Sequence, residues 1–123
     1  MNEPLFNYDE VSDTLYISFA PGEKATGIEL NENMLLRINK QERRAIGLSI
    51  FDYSIIAQRT ETGLRSLPLT GLTQLSEGVR EIVLEILQSS PIKEILAVST
   101  YTPSLAESTP IASLREVSLL VPA

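Results

Sequence analysis

Between Phe6 and Ile50 the apolar positions alternate with polar ones in short runs, the pattern of strands that bury one face. Leu15, Ile17 and Phe19 share a face, and Pro21-Gly22 then breaks the run. Ile28 and Leu30 alternate next, followed by the polar turn Asn31-Glu32-Asn33 and by Met34, Leu36 and Ile38. The stretch Asn39 to Arg44 reads as a polar hairpin connection, and Ile46, Leu48 and Ile50 mark the strand after it. Phe6-Asn7-Tyr8 adds a short leading strand. The expectation is an antiparallel β-meander.

By the same alternation the opposite face carries Tyr16, Leu35, Phe51 and Tyr53. A sheet wet on one face should be polar there. Some further surface, from the back half of the chain or from another subunit, is therefore expected to cover it.

The period changes after residue 60. Leu75, Val79, Ile82, Val83, Ile86 and Leu87 recur at the spacing of an amphipathic helix. Thr73 or Ser76 can cap its start, Glu77 and Glu81 suit the positive end of its dipole, and Ser89-Ser90-Pro91 stops it. Leu84 falls on the polar side of this helix, within about 60° of Glu81 and Gln88. Ile95 to Tyr101 and Val117 to Val121 read as further strands. Thr102 to Ser113, rich in Ser, Thr and Pro, reads as a loop. Gly63 to Thr73 holds Leu64, Leu67, Leu69 and Leu72 and is expected to cross the core, because exposing four Leu is costly. The fold class is α+β: an antiparallel meander against one main helix, with one or two C-terminal strands. One domain over residues 1–123 is expected, the meander in 1–56 and the helix with its strands in 57–123.

Composition narrows the chemistry. The 123 residues contain neither Cys nor His. Thiolate nucleophiles, disulfides, imidazole catalysis and zinc sites built on those residues are excluded within this chain. The net charge of −6 is spread over both halves, with acids exceeding bases in each, so no footprint for nucleic acid or an anionic membrane appears. The amino terminus lacks the basic and apolar regions of a signal peptide, and a cytoplasmic location is expected.

The remaining motifs favour structural readings. Asp9, Glu10 and Asp13 form an acidic cluster without the spacing of an EF-hand, and Asp9 and Asp13 are expected to hold backbone N–H groups of a turn. Ser90-Pro91-Ile92-Lys93 spells an S-x-x-K without its partner motifs. Glu77, Glu81 and Glu85 form one solvated helical stripe, and Arg43 and Arg44 point to opposite sides of a hairpin. No catalytic residue, metal site or cofactor is assigned, and the balance leans against an enzyme.

Tyr8-Asp9, a second Asp at position 13 and then Leu15-Tyr16-Ile17 resemble the bacterial family known as domain of unknown function 2283. Gly47-Leu48-Ser49-Ile50, followed by Asp52, resembles that family's closing strand. The resemblance spans roughly residues 4–56. Asn39 to Arg44 departs from it, since the family has an Asp-rich turn with Gly there. Similar domains stand alone as short proteins, some beside small toxin-like partners, so the resemblance implies an antitoxin-like or partner-binding role. The residues themselves point to a self-associating interaction module, a homo-oligomer such as a dimer, with a small protein partner as a further form. Leu84, Tyr16, Leu35, Phe51 and Tyr53 are its candidate interface. The alternatives are a small-ligand-binding domain, with its pocket between the sheet and the 102–113 loop, and an enzyme running on carboxylates.

Overall fold

The structure, a computed structural model, describes residues 4–60, 63, 64, 66–104 and 107–114. Its first half is one antiparallel sheet of β1 (Leu5–Asp9), β2 (Thr14–Ser18), β3 (Thr26–Asn31), β4 (Met34–Asn39) and β5 (Arg44–Phe51). Short polar side chains shape its three hairpin connections. Asp9 accepts from the Val11 amide at 3.1 Å, Asn31 from the Asn33 amide at 2.8 Å and Asn39 from the Glu42 amide at 2.9 Å. Each side chain imitates a backbone turn from within the loop, which is why Asp and Asn open such connections.

The strand order is β1-β2-β5-β4-β3. The antiparallel sheet agrees with the expected one, but its path is not a plain meander. β1 and β2 form one hairpin and β3, β4 and β5 a meander; β2 pairs with β5, so the chain must cross to the far edge after Ser18. Three strand spacings are about 14 Å, and residues 19–25 can reach more than 20 Å when extended. Alternation says which side chains face inward and carries no information about which strands are neighbours.

The inward rows are Ile17–Leu48–Leu36–Ile28 and Leu15–Ile50–Met34. All seven side chains are buried. Burying a Leu or Ile completely contributes about 1.5–3 kcal/mol, so this face dominates the stability of the sheet.

Several segments of the chain after β5 cover it. Helix α1 (Tyr53–Ile56) follows β5 through Asp52, whose φ of 56° turns the backbone out of the strand. Tyr53 therefore begins a helix and is only 8% exposed, within the same buried cluster as Leu15 and Ile50. This corrects its expected place on the outer sheet face. A 3-10 turn at Thr70–Gln74 buries Leu69 and Leu72, in keeping with the expected core crossing. Helix α2 (Glu77–Leu87) is capped by Ser76, which accepts from the Val79 amide at 3.4 Å, and buries Val83, Ile86 and Leu87. Arg43 on the β4–β5 turn meets Glu85 of α2 at 2.8 Å.

Five further strands among the described residues are short or C-terminal: β6 (Arg59–Thr60), β7 (Gly63–Leu64), β8 (Leu67–Pro68) and the pair β9 (Leu96–Ser104) and β10 (Glu107–Leu114). The order β8-β10-β9 makes a second sheet, and β6 pairs with β7. The expected loop at 102–113 is thus largely strand. Thr has strand propensity, and Pro110 stands just beyond the two residues of β10 that pair with β8. The strand expected at Val117 to Val121 lies outside the described residues. No helix among them is long and apolar enough to cross a membrane.

Candidate functional site

On the outer face of the sheet, Tyr16, Ser49 and Leu35 stand in one cross-strand row, with Phe51 two residues beyond Ser49. Tyr16 is 43% exposed, and Leu35 and Phe51 are half-buried. None of these three belongs to the buried apolar cluster or packs against it. Beside them lies the half-buried Arg37. A Cβ at Gly47 would stand 3.0 Å from Arg37 Nε and 3.1 Å from its Cζ, so the guanidinium rests on the bare backbone of that glycine. Among the described residues no carboxylate forms an ion pair with it.

The remaining exposed apolar side chains lie on the β1–β2 hairpin and on α1, which is bonded to its turn. Leu5 and Phe6 are on β1, Val11 is on the β1–β2 turn and Ile55 is on α1. Together with Tyr16 they are the exposed large hydrophobic residues among those described. Phe6 shares the inward parity of Ile17, yet it stays 36% exposed.

Asp13 fastens these pieces to one another. At φ 51° it closes the β1–β2 turn, and its Oδ1 accepts from the Tyr8 hydroxyl at 2.6 Å. The same carboxylate accepts from the Ser54 amide at 3.0 Å and the Ser54 hydroxyl at 2.7 Å, while the Asp13 carbonyl accepts from the Tyr53 amide. Tyr8 and Tyr53 rings lie 5.7 Å apart and tilted. The hydrogen bond with Asp13 pushes the Tyr8 hydroxyl up to about 12, helped by desolvation. The bonds from Tyr8 and Ser54 hold the Asp13 carboxyl below its ordinary range, and burial pushes the Tyr53 hydroxyl up. Through these bonds Ser54 anchors the start of α1 to the β1–β2 turn.

The other candidates are dispersed. Leu84 lies on α2, the layer covering the inner face, and is half-buried against the core beside Arg80, Leu72 and Pro110. It is therefore not brought together with Tyr16, Leu35 and Phe51. Asp9 holds the Val11 amide and the Ser12 hydroxyl, and no group of three carboxylates suited to a metal ion occurs among the described residues. Ser90 donates to Glu94 at 2.9 Å. Arg44 pairs with Glu42 and Glu23, away from Arg43 and its Glu85. A hollow of about 480 Å³ lies between β3 and the 3-10 turn and includes Glu29 and Glu32. Both are exposed and lack the burial that prepares a carboxylate for acid–base work.

Residues 5–54 match the family described as protein of unknown function (DUF2283). The matched segment runs from the first residue of β1 to Ser54, so it holds the whole five-stranded sheet and both ends of the Asp13 fastening. Helix α2 and the second sheet lie beyond it. No match to the chain is found among the curated proteins or the solved structures.

Leu5, Phe6, Val11 and Ile55 did not stand out in the sequence, because each is ordinary as a single exposed side chain. Their shared location becomes meaningful only once β1 is known to be an edge. Ser54 was equally silent, since its partner is far away in sequence.

Proposed function

We propose that the protein is an interaction module that self-associates through the β1–β2 side of its sheet. The observation that carries this reading is the concentration of exposed apolar side chains on β1, its turn, Tyr16 and α1. Grouped apolar surface of this kind marks contact sites, whereas scattered residues would not. Tyr16, Leu35 and Phe51 extend the patch across the outer face, and Arg37 supplies a cation at its border. Aromatic residues and Arg are the side chains enriched where proteins meet.

Multi-angle light scattering on the wild type and on Leu5→Asp tests the reading. The wild type should show twice its 13.6 kDa mass at micromolar concentration. Leu5→Asp should shift the equilibrium toward monomer with an unchanged circular dichroism spectrum, because a carboxylate placed in the contact without a partner is costly. A wild-type protein monomeric at several hundred micromolar rejects the proposal.

A further inference from the structure

The two edges of the five-stranded sheet differ. Along β3, a Cβ on Gly71 would overlap the Glu29 carbonyl oxygen, so the 3-10 turn is pressed directly onto the strand. Asn31 also donates to the Pro68 carbonyl at 3.1 Å. Along β1 no described element pairs with the outer side, since β2 is its sole neighbour. Exposed edges are usually blunted by Lys, by Pro or by a bulge. The strand Leu5-Phe6-Asn7-Tyr8-Asp9 contains no Lys and no Pro, and its pairing with β2 is continuous.

We propose that the occupant of this edge is β1 of a second copy, paired antiparallel about Asn7, so that two sheets become one of ten strands. The inference rests on the self-association argued above and specifies its geometry. A twofold contact must be self-complementary, and this strand is. With Asn7 facing Asn7, Phe6 of each copy faces Tyr8 of the other, an aromatic cross-strand pair on the inner side. Each Leu5 faces Asp9 of the other copy. Charge selects the antiparallel orientation. Centring on Asn7 separates the two Asp9 residues by about 14 Å, beyond a Debye length of about 8 Å. In-register parallel pairing would set them about 5 Å apart, each beside its own Glu10, in a protein of net charge −6.

The absence of Cys from the chain makes the register directly testable. Under mild oxidation Asn7→Cys should crosslink nearly completely to a dimer, whereas Leu5→Cys, about 14 Å from its equivalent, should not. Phe6→Lys should raise the dimer dissociation constant at least tenfold, with circular dichroism reporting whether the monomer stays folded. Crosslinking at Leu5 but not at Asn7 overturns this pairing. So does a folded Phe6→Lys variant that dimerises like the wild type, and either result leaves self-association through another surface standing. A wild type that is monomeric at several hundred micromolar overturns both proposals.

Discussion

The β3 edge and the β1 edge belong to the same sheet and meet opposite fates. At β3 the chain spends its own residues 67–75 on covering the strand, with a glycine allowing backbone to touch backbone. At β1 it invests only in rigidity: Asp13 locks the turn to α1 through Tyr8 and Ser54, and the apolar side chains beyond stay bare. On the pairing proposed above, an edge that is stiffened but not covered suits a partner, since little conformational entropy remains to be lost there on binding. That is the lesson of the contrast.

The largest expected effect concerns what both edges depend on. Leu48 is fully buried mid-strand, and Leu48→Ala should cost about 2–5 kcal/mol in urea denaturation. A cost below about 0.5 kcal/mol would mean that the inner face is not the stabilising one. Next comes the closed edge. Gly71→Ala forces a methyl group against the Glu29 carbonyl and should cost about 1–3 kcal/mol. An unchanged midpoint would show that the 3-10 turn does not press on β3.

Smaller effects are expected at the open edge, and their signs follow from the Asp13 bonds. Tyr8 has its folded pKa raised to about 12, above its ordinary value of 10.0. Its contribution is therefore complete below about pH 10 and lost as pH rises toward 12. Absorbance titration should show one tyrosine ionising near 12, and Tyr8→Phe should remove that step. Asp13 has its folded pKa lowered, so its contribution is complete above the ordinary carboxylate range and lost as pH falls through the depressed value. Asp13→Asn should weaken the fold at neutral pH and flatten the acid limb of the stability profile. An acid limb as steep as the wild type's would remove Asp13 from the account. The smallest effect is none: because Asp9 and Asp13 are engaged by backbone and side-chain donors, millimolar calcium should leave the melting temperature unchanged. A saturable rise would show a cation bound to the folded state.

The inner face was legible in the sequence because period-two alternation from Leu15 to Ile50 has one physical reading. Helix α2 was legible for the same reason at period 3.6, down to the Ser76 cap. What alternation cannot encode is neighbour order, and so neither the crossover to β3 nor the status of β1 as an edge could be read. Tyr53 was misplaced because a single left-handed residue, Asp52, ends the strand one step earlier. Most of β9 was legible as the strand Ile95 to Tyr101, while its end and β10 were hidden by Ser, Thr and Pro content, which resembles a loop until a neighbouring strand is in place. Of the interface residues expected from the sequence, Tyr16, Leu35 and Phe51 do share one face, while Leu84 sits on the other side of the sheet against the core.

The contrast between the edges is tested most directly by amide hydrogen exchange at two protein concentrations, about a hundredfold apart. Residues Leu5–Asp9 should exchange more slowly at the higher concentration, as the outward amides of β1 gain partners, while Thr26–Asn31 should exchange at the same rate in both. Exchange across Leu5–Asp9 that does not depend on concentration would contradict the account.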